Sequence, residues 1–361
     1  MKEGISAVEA KFEAQKIAFA PLVFQAARAL LELGILRVVS ESGVDGITRK
    51  EIAEKTGVSE YGAAVLSEIG LGIGAFNFSN ERFTLGKTGW FLLEDDMTRV
   101  NFNFVRDVCY NGADFLTESV RTGKPRGLSV FGENWRTIYE ALSSLPEQAQ
   151  KSWFDFDHFY SDIAFSDSLP IVFAPYSQDT GAQKPVHILD IGGNTAKWAI
   201  ACCKYNSGAR VTIIDIPVQF AAAKKNIAAA GYENRISFFA CNVLDETPFP
   251  RQEAGIVWMS QFLDCFSLDQ ITFILKKIAA AVTPETDVFV LEPFWDKQKF
   301  PAASFSLQAA SLYFTCMANG NSKMYRCAEL TGAVEKAGFV LKTAHHNIGS
   351  NDYSLMLFKK L

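Results

Sequence analysis

The chain has 361 residues, more than one ordinary hydrophobic core accommodates, so two domains are expected. Lys and Arg number 35 against 40 Asp and Glu, a formal net charge of −5, which argues against a protein that lives on nucleic-acid phosphates. Hydrophobic residues at 48% and charged ones at 21% exclude a disordered chain. Phenylalanine dominates the aromatics, with 30 Phe against 10 Tyr and 6 Trp, yet none lies between Phe173 and Phe220.

The N-terminus alternates charges and lacks the apolar core of a secretion signal, and no run approaches the roughly 18 apolar residues of a membrane span. Seven cysteines form no C-x-x-C pair, and four histidines show no zinc-ligand spacing. Reduced thiols, a cytoplasmic location, no membrane contact and no metal are the expectations.

Residues 17–42 are apolar at helical spacing and predict helix throughout. Thr48 with Glu51 makes a T-x-x-E capping box, Gly57 supplies a turn, and Ser59 caps a second helix to about Leu71. The stretch from Phe76 to Leu85 reads as a hairpin around Ser79-Asn80, which completes a winged-helix unit. The helix that would enter a DNA groove carries Glu60 and Glu68 and no Lys or Arg. Sequence readers of DNA use Arg, Lys, Asn and Gln over a basic footprint, so a dimerisation unit is the better reading of residues 1–100.

Residues 101–180 stay helical and aromatic, and the polar stretch 177–185 marks a boundary. Beyond it short apolar strands alternate with helices. Strands are predicted at 186–191, 210–216, 236–242, 255–262, 286–292, 339–346 and 353–360, with helices near 195–206, 218–230, 268–282 and 326–337. That alternation predicts a mainly parallel sheet covered on both faces.

The segment HILDIGGNTAKW ends a buried strand in Asp190 and turns through Gly192-Gly193 into a helix. The next strand ends in Asp215, placed to bind both hydroxyls of a ribose. A dinucleotide needs G-x-G-x-x-G to bring pyrophosphate to the helix N-terminus, and the run from Gly192 is G-G-N-T-A-K. The turn therefore favours S-adenosyl-L-methionine (SAM), which carries no phosphate.

With these motifs the chain resembles the two-domain, class I SAM-dependent O-methyltransferases of the plant caffeate and bacterial hydroxyneurosporene type. The likeness spans ESVRTGKP (118–125), LDIGGNTA (189–196), IDIP (214–217) and AGF (337–339), together with the winged-helix unit. It implies an α/β fold, a Rossmann-like seven-strand sheet with an antiparallel last strand, plus a helical, winged-helix N-terminal domain that forms a homodimer. The implied domains are 1–100 for dimerisation, 101–180 as a helical linker to the substrate pocket, and 181–361 for SAM binding and catalysis.

The resemblance places Asp190, Gly192, Gly193 and Asn194 at the cofactor's methionine and ribose side. Asp215 and Ile216 would hold the ribose, Asn242 and Val243 the adenine, and Ser260 stands where the family has a Lys that touches SAM. Asn194 and Ala196 replace two glycines of the motif. The family's catalytic His aligns with Asp264, its first assisting Glu with Glu292, and its second with Met324. Asp264 has a competing reading as a helix cap, although Ser267 with Gln270 makes a better S-x-x-Q box. A carboxylate with the ordinary Asp pKa of about 3.9 is a weak base for a phenol unless burial raises it.

Tyr160 aligns with a family Met that packs on the acceptor ring. Phe262 and Phe266 flank Asp264, and Phe294, Trp295, Phe300, Phe305 and Phe314 follow Glu292. Each alone reads as core; together they suggest an apolar pocket, with Tyr160, Phe294 and Phe314 as its candidate acceptor contacts. The expected activity is methyl transfer to oxygen of a small apolar or aromatic acceptor, with no nucleic-acid partner. The missing His leaves open a SAM-binding relative without methyl transfer, of decarboxylase or hydroxylase type, and more remotely a winged-helix regulator.

Overall fold

The computed structural model describes residues 4–132, 135–177, 184–246, 249–250 and 253–361. The chain divides into two compact units, residues 1–102 and 103–361. The boundary expected at 177–185 lies mostly outside the described residues.

In the first unit the helical run is broken into Ala7–Ala18, Ala20–Glu32 and Ile35–Glu41. Pro21 is set at the start of the second helix, where its missing N–H costs nothing. Gly34 adopts φ +72° and ends that helix, a conformation that favours glycine. The T-x-x-E box opens helix Arg49–Thr56 as expected, and Ser59 caps helix Glu60–Gly72. The hairpin pairs β1 (Phe76–Ser79) with β2 (Arg82–Leu85). Its turn is centred one residue later than expected, on Asn80 and Glu81, both at positive φ. That is the left-handed pair a two-residue hairpin loop requires. A bridge from Ile47 to Phe83 adds a third segment, and Leu30, Leu36, Ile52, Phe76 and Phe83 fill the core. The first helix buries none of its residues, leaving Val8, Phe12 and Ile17 exposed.

The second unit carries the strands β3 (Val186–Ile191), β4 (Ala209–Asp215), β5 (Ile236–Ala240), β6 (Ile256–Ser260), β7 (Asp287–Glu292), β8 (Phe339–Ile348) and β9 (Tyr353–Lys360). Their order is β5-β4-β3-β6-β7-β9-β8, with β9 antiparallel to both neighbours and the other pairs parallel. Helices Lys197–Tyr205, Phe220–Ala230, Leu268–Ala281 and Cys327–Lys336 connect the strands. The strand order reverses at β3, whose successors β4 and β6 lie on its two opposite sides. The crevice beyond the carboxyl ends of β3 and β4 is where such folds bind ligands.

On one face Val257, Met259, Val288 and Val290 pack against Ile271, Ile274 and Leu275. On the other, Trp198 stacks on Trp258 with ring centroids 3.7 Å apart and planes 12° from parallel. A third cluster joins helices Ile138–Ala141 and Glu147–Ser161 to the segment after β7. Phe104 stacks on Phe156 at 4.0 Å, and the Trp153 indole N–H donates to Tyr313 Oη at 2.7 Å. Each fully buried large side chain contributes about 1.5–3 kcal/mol.

Candidate functional site

The loop after β3 passes through three left-handed residues: Gly192 at φ +75°, Asn194 at +44° and Ala196 at +68°. Gly192 is required sterically, since a Cβ there would lie 2.3 Å from the Phe262 ring. Asn194 occupies a conformation that asparagine tolerates better than most residues. Its backbone N–H donates to Asp215 Oδ2 at 3.0 Å, while Asp215 Oδ1 accepts from the Ile216 N–H at 2.7 Å. Burial pushes the Asp215 carboxyl up to about 6, against the two amide donors that favour its ionised form. Beneath the loop Asp190 is 2% exposed, and Oδ2 has no partner among the described residues. Burial, and then the charge of Asp215, raise Asp190 to about 8.

A cavity of about 480 Å³ opens at this crevice. Gly192, Asn194, Asp215, Ile216, Asn242 and Val243 line one part of it. Trp153, Phe156, Phe262, Phe266, Tyr313 and Phe314 line another, with Met324 among them. Asp190, Gly193 and Ser260, also expected at the cofactor, are not on the wall. A Cβ at Gly193 would lie 2.7 Å from Asp190 Oδ2, and the buried Ser260 hydroxyl has no partner among the described residues. The Asn242 carbonyl oxygen accepts from the Leu244 N–H at 3.1 Å, leaving one lone pair.

Asp264 lies on the wall in the short turn Leu263–Cys265 and is 4% exposed. It is not the helix cap: Ser267 and Gln270 exchange both bonds of the capping box. Burial raises the Asp264 carboxyl to about 7, the Cys265 thiol opposes that rise, and the charge of Asp157 adds to it. Glu292, at the end of β7, faces the backbone instead. Its Oε1 accepts from the N–H groups of Phe262 at 3.0 Å and Leu263 at 2.8 Å. Burial and the nearby Asp264 hold the Glu292 carboxyl well above the usual range.

Of the three acceptor contacts expected, Phe314 is on the wall. Tyr160 packs against Phe156 behind it, and Phe294 is 1% exposed within the sheet's own core. Phe300 and Phe305 are on the surface. The sequence reading omitted Asp157, which lines the cavity and accepts from the Asn194 side chain at 3.2 Å. Its signal was readable: Trp153, Phe156 and Tyr160 form one buried helix face, and Asp157 falls on it. Arg136, Glu140 and Gln261 also line the cavity and were not anticipated.

These features fit SAM. An acid at the tip of β4 suits ribose hydroxyls, the glycine turn clears the approach, and the one cation at the helix start, Lys197, is bonded to Asp162 rather than open to a phosphate. Among the described residues no acid–histidine–cysteine group suits a metal ion.

Comparison with known proteins agrees. Residues 11–83 match the Dimerisation2-like domain, and residues 178–340 match the O-methyltransferase domain. The L-tyrosine C(3)-methyltransferase of Streptomyces lavendulae is 23% identical over 326 residues, covering 90% of this chain and 85% of that one. Among solved structures, the SAM-dependent methyltransferase SibL superposes with a TM-score of 0.70 at 23% identity, covering 96% and 98% of the two chains. The mitomycin 7-O-methyltransferase MmcR gives 0.69 at 18% identity, covering 98% of each. NcsB1, solved with S-adenosyl-L-homocysteine (SAH) and 1,4-dihydroxy-2-naphthoic acid, gives 0.62 at 20% identity over 94% and 96%.

Fold, crevice and sequence together define a two-domain, class I SAM-dependent methyltransferase. Residues 178–340 carry an O-methyltransferase domain, preceded over residues 11–83 by a Dimerisation2-like domain. Among its described residues no helix is long and apolar enough to cross a membrane.

Proposed function

We propose that this enzyme methylates the hydroxyl oxygen of a small aromatic acceptor, with Asp264 taking the hydroxyl proton. The observation that carries this reading is a buried carboxyl on the cavity wall, raised to about 7, where the family's histidine would stand. A base is most effective when its pKa lies near the working pH, and burial brings Asp264 there. Asp215, Gly192 and Asn194 hold and orient the cofactor, whose chemistry when bound is an activated methyl group with sulfur as leaving group. Phe262, Phe266 and Phe314 sandwich the ring and exclude water. Asp264 would take the acceptor's hydroxyl proton as its oxygen accepted the methyl group and the methyl's bond to sulfur broke.

A second reading keeps the base and changes the methylated atom. The Streptomyces lavendulae relative is named for C(3) of tyrosine. Ionising a phenol also activates the ring carbon beside it, so the same Asp264 suits carbon methylation.

The N-terminal unit fits homodimerisation, since the helix Ala7–Ala18 buries none of its residues and leaves Val8, Phe12 and Ile17 exposed. Nucleic acid is a poor partner: Arg82 of the wing is bound to Glu51, and Arg49 to Glu68. Seven free cysteines suit a cytoplasmic location.

Incubation with methyl-labelled SAM and a panel of phenols, followed by NMR of the product, tests the reading. A methoxy carbon is expected, and a ring methyl selects the second reading. Label that stays in the cofactor across the panel sinks both and favours SAM use without transfer.

A further inference from the structure

Asp157 does nothing in the scheme above, yet it is on the wall of the same cavity as Asp264. It projects from helix Glu147–Ser161 among Trp153, Phe156 and Tyr160, an apolar face on which a carboxyl is costly. Its Oδ2 accepts from the Asn194 side chain at 3.2 Å. Its Oδ1 makes no hydrogen bond among the described residues, and a quarter of the side chain stays open (25%). The His158 ring nitrogen Nδ1 lies 3.9 Å from Oδ2.

Asn194 is the other half of the arrangement. It stands at φ +44°, where the chain would accept glycine with least strain. Glycine could supply the backbone N–H that reaches Asp215. Only a side chain reaches Asp157. One residue thus ties the ribose-binding acid to a carboxylate on the acceptor side.

We propose that Asp157 is a second acceptor-binding carboxylate, aimed by Asn194 from the cofactor loop, and that its open oxygen takes a hydrogen bond from a second donor on the acceptor, a hydroxyl or an ammonium. The proposal rests on the reading that Asp264 acts on the hydroxyl to be methylated. It implies an acceptor with two polar hydrogens, gripped at two points. Burial raises Asp157 to about 6, so near neutral pH it is largely ionised and ready to accept.

The test compares wild type with Asp157→Asn and Asp157→Ala on two matched probe pairs. Catechol against phenol varies a hydroxyl, and L-tyrosine against 3-(4-hydroxyphenyl)propionate varies an ammonium. Both substitutions are expected to raise KM for the two-donor member of one pair roughly tenfold, the usual worth of a hydrogen bond to a charged group. They should change kcat less than about threefold and leave the one-donor member unchanged. The pair that responds identifies the second donor. Calorimetric titration with SAH, expected to stay within about twofold of wild type, separates this from damage to the cofactor loop or the fold. Equal losses on both members of each pair, or an unchanged KM in both variants, overturn the proposal while leaving the base assignment intact. Wild-type enzyme that transfers methyl to none of the four probes overturns the proposal together with the reading beneath it.

Discussion

The Glu292 Oε1 atom lies 2.8 Å from the backbone nitrogen of Leu263, the residue before Asp264, and 3.0 Å from that of Phe262. Glu292 therefore fixes the turn that presents Asp264 and does not itself line the cavity. Glu292→Ala leaves two buried N–H groups without acceptors and should cost about 2–5 kcal/mol of stability, with kcat falling as Asp264 loses its setting. Glu292→Gln retains a carbonyl oxygen for both amides and should cost under about 1 kcal/mol. Urea unfolding midpoints of the two variants check this ordering.

As the proposed base, Asp264 must be ionised to take a proton. Below its raised pKa it is protonated and idle, so kcat/KM is expected to climb as pH rises through about 7 and then level off. Asp264→Asn should lower kcat/KM by about 10²–10⁴-fold and abolish that limb. Its affinity for SAH should stay unchanged. A pH–rate profile of both proteins is the measurement.

The raised carboxyls also tie stability to pH. Asp190, at about 8, and Asp264, at about 7, hold protons in the folded state that an unfolded Asp has lost by roughly pH 5. Between those limits the native state binds more protons than the unfolded one, so stability falls as pH rises. Asp190→Asn should remove part of that slope, on the order of a few kcal/mol between pH 5 and 8. Unfolding midpoints of the cofactor-free protein at the two pH values decide it.

Cofactor affinity depends on two neighbouring features of the loop. Gly192→Ala drives a methyl into the Phe262 ring at a φ of +75°, so SAH binding should collapse. Asp215→Ala removes the acceptor for the Asn194 and Ile216 amides and the proposed acceptor for ribose hydroxyls. A weakening of about 10–100-fold in a calorimetric titration is expected.

The strands were legible because each is a short apolar run between turn residues, and β7, buried at all six positions, is the plainest case. Their ends differ from expectation by up to two residues, where side chains no longer decide the matter and hydrogen bonds do. The single helix expected over 17–42 is interrupted because apolar spacing says nothing of where Pro21 and Gly34 reset the backbone. Asp215 and Gly192 were legible because their chemistry depends on position along one strand and turn. Asp157 and Phe294 were not: one joins the cavity and the other leaves it through the packing of segments far apart in sequence. Alignment put both Glu292 and Asp264 at the centre, and only the fold separates their roles, one toward the backbone and the other toward the cavity.

The Trp198–Trp258 stack has a use beyond packing. Two parallel indoles at 3.7 Å form a strongly coupled chromophore in an otherwise rigid part of the sheet. Trp198 is the second residue of the helix that leaves the cofactor loop, and Trp258 lies midway along β6. A change in the cofactor loop on ligand binding is therefore expected to alter the angle between the rings. Near-ultraviolet circular dichroism reads that angle without a label, and a spectrum unchanged on addition of SAH would show that the stack does not sense the loop.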